Sequence, residues 1–170
     1  QRLELVGAGV PAVDETHVYF ASLKAETADG AVLKISKLGG QPQVLVAGQT
    51  GVDQLAVDRD ALYFRSNSGL WRVGKQGGAA DCLLPAARGK NVDHLVADET
   101  HLYFFWETSG NGKYRVARMP KRGGAPEAIG PIANPTGRLA LSDSHVYFFR
   151  AADLTDDALA KVEKQGGEPA

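Results

Sequence analysis

The chain has 170 residues, 44% of them hydrophobic and 23% charged, with a formal net charge of −1. That composition suits a globular domain with a sizeable core, and its near-neutral balance gives no basic field for nucleic acid. No run of about 18 apolar residues is present to cross a membrane as a helix. Cys82 is the only cysteine, which excludes an intrachain disulfide and a cysteine-built metal site. In the apolar run Cys82-Leu83-Leu84 it reads as a buried, inert thiol.

Taken from the start, the chain opens at Gln1 rather than Met, as a processed or excised piece would, so the lack of a leader carries no weight. Residues 2–6 read as an outer strand with no turn ahead of it. An apolar inner strand then runs to Asp14, whose short acceptor side chain starts a tight turn. His17-Val-Tyr-Phe20 follows as a strand apolar on both faces, the pattern of a sheet buried between neighbours. Val32 to Lys37 alternates apolar with basic residues and predicts a half-exposed strand. Gly39-Gly40 supplies the unusual backbone angles of a hairpin turn into the outer strand Val44-Leu45-Val46.

The run recurs three more times. Asp58, Asp98 and Ser142 each precede a Tyr-Phe pair, and the tyrosines Tyr19, Tyr63, Tyr103 and Tyr147 stand 40 to 44 residues apart. Two basic rows repeat with them, Lys34, Arg72, Arg118 and Lys161, then Lys37, Lys75, Lys121 and Lys164. Each copy ends in a Gly-Gly pair. Helical periodicity is confined to a single turn, Asp153 to Leu159, inside a loop. Four short strands per roughly 40 residues predict an all-β fold, a β-propeller with four blades of four antiparallel strands. The blades fall at about 7–46, 52–86, 92–130 and 137–170 plus 1–6, in a single domain spanning 1–170. Joining tail to head continues the repeat, so residues 2–6 are expected to pair with Leu159 to Lys164 and close a four-bladed ring. An arc of a larger ring is the alternative.

The phrase Asp-x-x-x-(Leu/Val)-Tyr-Phe, followed by a basic strand and Gly-Gly, resembles secreted bacterial propeller repeats related to the YWTD, NHL and TolB-like groups. The resemblance covers essentially the whole chain. Phe stands where YWTD repeats carry Trp, and the following Thr-Asp is absent. The resemblance implies a non-catalytic module that binds or senses a protein, peptide or glycan, without a cofactor, in an extracytoplasmic setting, secreted or periplasmic.

Candidate site residues come from the rows where the copies differ. Counting back from each turn residue aligns Asp53 with Asp93 and Gln54 with His94 and Arg138, at the starts of the inner strands. Those starts line a channel mouth in a propeller, where a few convergent polar groups on a rigid frame make a pocket. Trp106, near Glu107 and Asn111, reads either as a partner-binding anchor or as an extension of the buried strand. Arg88, with Lys90 and Asn91, adds a local positive patch. A lyase or hydrolase using His94 with Asp53 or Asp93 is the alternative reading, although no serine elbow, metal triad or phosphate loop accompanies it. His17, His101 and His145 share one repeat position. They read as turn residues packing on the neighbouring blade rather than as metal ligands. The basic rows read as a solvated face, or as a stripe for anionic partners.

Overall fold

The computed structural model describes residues 9–22, 30–87, 91–107, 109–133, 137–151 and 157–166. These form four antiparallel sheets with no helix among the described residues. The first sheet is β1 (Ala12–Val13), β2 (His17–Ser22), β3 (Ala31–Ser36) and β4 (Gln43–Ala47); the second is β5 (Gln54–Val57), β6 (Ala61–Ser66), β7 (Gly69–Gly74) and β8 (Asp81–Pro85). The third is β9 (Asn91–Ala97), β10 (His101–Glu107), β11 (Tyr114–Pro120) and β12 (Glu127–Ala133); the fourth holds β13 (Ala140–Leu141), β14 (His145–Ala151) and β15 (Asp157–Glu163). In each sheet spatial order follows chain order, the meander of a propeller blade. The all-β, four-blade architecture expected from the repeat is the one observed. Two compact units divide it, Gln1–Pro85 and Ala86–Ala170. The expected pairing of residues 2–6 with the last strand lies outside the described residues.

Local chemistry explains the meander. Asp14 Oδ1 accepts the amides of Thr16 and His17, each at 2.8 Å, and Asp58 and Asp98 repeat the turn on Asp60 and Ala61 and on Thr100 and His101. A short carboxylate thus satisfies the amides that the turn would leave open. At the other hairpin, Gly39 and Gly40 take φ of 92° and 111°, and Gly77, Gly78, Gly123, Gly124 and Gly166 are likewise positive, where a side chain would be strained. The outer strand then carries a bulge at one repeat position, between Val32 and Leu33, Leu70 and Trp71, and Arg115 and Ala117 of its partners.

Packing follows from alternation along the second strand. Tyr19, Ala21 and Val32, on one face of the first sheet, meet Leu62, Phe64 and Val73 of the second. In the other unit Tyr103, Phe105 and Val116 meet Val146, Phe148 and Val162 in the same way. Each sheet therefore has a tyrosine face and a phenylalanine face, and within each unit the two sheets mate unlike face to unlike face.

Three expectations need correction. Asp157–Leu159 belong to β15 and are strand, not a turn of helix, because they pair with Ala151 to Phe149 of β14. Cys82 is exposed, since it sits on the outermost strand of its sheet, beyond the packed layer. The basic strand is not a solvated face either: Lys34 and Lys164 are buried, for reasons given below.

Phe64 is 0% exposed and Leu38 is 99% exposed. Truncation of Phe64 to Ala is expected to cost about 3–5 kcal/mol, and Leu38→Ala to change stability by less than about 0.5 kcal/mol. Urea unfolding followed by tryptophan fluorescence measures both.

Candidate functional site

Two ends of the sheets carry polar groups, and they differ in what those groups do. At the turn end, the repeat's basic and acidic rows join adjacent sheets. Lys34 Nζ donates to the carbonyl of Lys75 at 2.6 Å, and Lys75 Nζ reaches back to Asp14 Oδ2 at 2.6 Å. Gly78 N donates to the carbonyl of Leu45, the residue bulged out of β4, at 3.2 Å. The second unit repeats the arrangement. Arg118 donates to the carbonyl of Lys164 at 2.7 Å and to Gln165 Oε1 at 2.9 Å, while Lys164 Nζ meets Asp98 Oδ2 at 2.8 Å. The two basic rows are thus opposite arms of a clasp, one reaching forward to main chain and the other back to a carboxylate.

The same carboxylates hold the tyrosines. Tyr19 Oη donates to Asp14 at 2.8 Å, Tyr63 Oη to Asp58 at 3.0 Å and Tyr103 Oη to Asp98 at 2.9 Å. Lys164 Nζ also lies 5.3 Å from the centroid of the Tyr103 ring. Burial pushes the Asp14 and Asp98 carboxyls up, but the lysine, amide and tyrosine hydrogen bonds outweigh it and hold both well below the usual carboxylate range. Burial and the neighbouring aspartate push the Tyr19 and Tyr103 hydroxyls up; Tyr63 is pushed up to about 12, burial and Asp58 outweighing Arg72.

The histidine row sits at this end. His17, His101 and His145 Nδ1 each meet the hydroxyl just before them, Thr16, Thr100 or Ser144, at 2.7–2.8 Å. Their rings tilt against the tyrosines of their own strands, with centroids 6.1–6.3 Å apart. Among the described residues no group of three metal-ligating side chains gathers. Clefts open here, one of about 600 Å³ lined by Asp14, Thr16, Asp58, Arg59 and Lys75, and one of about 500 Å³ that includes His101, Asp143, His145 and Glu163.

At the opposite end lie the inner-strand starts. Asp53 and Gln54 belong to the first unit, Asp93, His94, Trp106 and Arg138 to the second. Asp53 forms a two-pronged ion pair with Arg65, Nε to Oδ1 at 2.8 Å and a second contact from the terminal nitrogen to Oδ2. Its main chain packs under Gly9, where a Cβ would come within 2.6 Å of the Asp53 carbonyl. Gln54 pairs with Arg65 across the strands. Arg65 escaped the sequence reading, yet it left a signal: it is a charge where the other copies carry Ala21, Phe105 and Phe149.

The second unit departs from this pattern. Pairing shifts between Tyr103 and Phe105, so His94 and Leu95 stand against Phe104 alone. Asp93 consequently sits opposite Phe105, as Gln54 sits opposite Arg65, one step from the alignment that counting gave. His94 has φ of 52°, and no other described non-glycine residue has a positive φ. Asp93 Oδ1 accepts the His94 amide at 2.9 Å, the carboxylate lies 3.8 Å from His94 Nε2, and the imidazole stands edge-on to Phe105 at 5.6 Å. Trp106 continues β10, half-buried, and its indole N–H is buried without a hydrogen-bond partner among the described residues. Glu107 beside it is buried and accepts from Asn91 Nδ2 at 2.7 Å and from the Gly112 amide at 2.5 Å, which anchors the hairpin of β10 and β11. Arg138 is exposed. Arg88 and Lys90 lie outside the described residues.

No family model and no curated protein matches the chain. Solved β-propeller structures do. Nidogen, in its complex with laminin, is 16% identical over 91% of this chain and 64% of its own, with a TM-score of 0.68. TolB from Acinetobacter baumannii is 15% identical over 97% of this chain and 45% of its own, with a TM-score of 0.68. Oligogalacturonate lyase from Vibrio parahaemolyticus is 12% identical over 100% of this chain and 55% of its own, with a TM-score of 0.72. The chain is a β-propeller by this likeness, and it spans less than two thirds of the length of each of these neighbours.

Acid and alkali should each weaken the clasp, with opposite signs. The depressed aspartates contribute stability that is full above about pH 4, the unfolded value, and is lost as pH falls below it. The raised tyrosines contribute stability that is full below about pH 10 and is lost as pH climbs toward their folded values. A thermal-melt profile against pH should show a plateau with two falling limbs. Asp98→Asn should lower stability by about 1–3 kcal/mol at neutral pH and flatten the acid limb. Tyr63→Phe should flatten the alkaline one.

Proposed function

We propose that this chain is a binding or sensing module that takes a protein, peptide or glycan ligand at the inner-strand end, with Asp93, His94 and Arg138 among the contacts. The observation that carries the reading is the His94 bulge. A left-handed backbone costs a side-chain-bearing residue about 1–2 kcal/mol, and glycine would adopt it freely. Strain of this kind is kept where it aims a side chain, and bulges commonly do that aiming beside functional sites. The regular β5 in the first unit has no such feature, which makes β9 the strand adapted for something other than pairing. At the turn end, by contrast, the charges are spent on holding sheets together. The repeat resemblance supports a secreted or periplasmic setting.

A second reading has one observation behind it, the 3.8 Å approach of His94 Nε2 to the Asp93 carboxylate. Such a pair can exchange a proton with a bound substrate, and an oligogalacturonate lyase is among the structural neighbours.

Glycan and peptide arrays give the first test. Asp93→Asn, His94→Ala and Arg138→Ala should each weaken a captured ligand about tenfold or more. His94→Gly should hold or raise the melting temperature while losing the same binding, the mark of a residue kept against its own backbone cost. Ligand capture unchanged in all four variants would refute the site. Release of an unsaturated product from a polyuronide, absent in His94→Ala, would favour the catalytic reading instead.

A further inference from the structure

We propose that Asn111 and Gly112 form a self-modification site, at which the folded hairpin of β10 and β11 converts the asparagine to aspartate and isoaspartate through a cyclic imide, with Glu107 as the base. Asn111-Gly112 is the one asparagine-glycine step in the sequence. Ring closure there requires the Gly112 amide nitrogen to attack the Asn111 side-chain carbonyl carbon. A peptide nitrogen is a poor nucleophile, because its lone pair is shared with the neighbouring carbonyl. A base on its proton and donors on the attacked carbonyl oxygen are what a loose chain does not hold in place. The hairpin supplies both. Glu107, 4% exposed, accepts the Gly112 N–H on Oε1 at 2.5 Å. Asn111 Oδ1 accepts from the Lys113 amide at 3.1 Å and from Ser109 Oγ at 2.8 Å. Gly112 has φ of 74°, a conformation that a side chain would strain, so the residue that hinders its own nitrogen least is also the one this turn requires. All of these residues lie in the second unit.

The reaction balances within these groups and water. Gly112 N bonds to Asn111 Cγ while its proton passes to Glu107, and the carbonyl oxygen takes up negative charge between its two donors. That charge then re-forms the carbonyl as the Cγ–Nδ2 bond breaks. Ammonia leaves with the proton from Glu107, which is again a carboxylate. Water opens the imide on either side: at Cγ it gives aspartate, and at the Asn111 main-chain carbonyl it gives isoaspartate. The product carries a carboxylate where the parent has a neutral amide. It stands at the end of the third sheet that holds Asp93 and His94, on a hairpin tied to the start of β9 by the hydrogen bond from Asn91 to Glu107.

Incubation of the 170-residue chain at neutral pH, followed by digestion, mass spectrometry and labelling with isoaspartyl methyltransferase, reads the product at Asn111. The folded wild type should convert about tenfold or more faster than the same chain held unfolded in urea. Asn67 and Asn91, followed by Ser68 and Val92, should stay intact over the same period. Glu107→Gln keeps an acceptor for the Gly112 amide but removes the base, and should slow conversion about tenfold or more. Ser109→Ala, which removes one donor from the carbonyl oxygen, should slow it about two- to tenfold. Asn91→Ala releases the other Glu107 oxygen, leaves the carboxylate on Gly112, and should convert at the wild-type rate. Protection of the Gly112 amide from hydrogen exchange shows in each variant that the hairpin is kept. A folded wild type no faster than the unfolded chain, or a Glu107→Gln chain as fast as the wild type or faster, overturns the proposal.

Discussion

Everything else in the fold depends on how one sheet grips the next. The grip has an apolar layer and a polar edge, and the edge is where the sequence spends its charges. A basic residue on the third strand donates to the main chain of the following sheet's turn, and that turn's lysine returns to the aspartate of the sheet before it. Neither arm is a surface ion pair of the weak, screened sort. Lys34 and Lys164 are buried, and each finds a hydrogen-bonded partner, which is the condition under which a buried charge is tolerable. The aspartate serves three roles at once, closing its own turn, fixing the tyrosine hydroxyl and receiving the lysine.

That economy explains what could be read from the chain alone. The period, the tight Asp turns and the Gly-Gly hairpins are local, so the residues announce them: Asp14 bonds amides two and three places on, and Gly39 and Gly40 need angles that other residues avoid. The partner of a long basic side chain is not local. Lys34 and Lys75 stand 41 places apart and are joined only when two sheets stack, so their rows looked like a solvated face. Cys82 misled for a related reason, because an apolar triplet reads the same on an inner or an outermost strand. The candidate site was legible as a set of rows that break the repeat, but its geometry was not. A bulge consumes one residue without altering composition, and it moved Asp93 by one pairing step. Arg65, the partner of Asp53, stands in the sequence as a break in an apolar row.

The two ends of the sheets divide labour accordingly. At the turn end, variation is expensive, since a changed aspartate or lysine strands its partners in a buried setting. At the inner-strand end the first unit neutralises its carboxylate with Arg65, whereas the second leaves Asp93 beside a backbone kink and an imidazole. One scaffold thus holds a settled version and an unsettled version of the same place.

Half of the grip is written in atoms that mutation cannot alter. The carbonyls of Lys75, Leu45 and Lys164 accept the forward contacts whatever side chains those positions carry. A lineage of such repeats can therefore drift far in sequence while its stacking survives, provided a handful of donors and one carboxylate per copy persist. The mark of such a repeat lies more in the spacing of a few polar residues than in the apolar layer, where many substitutions pack equally well.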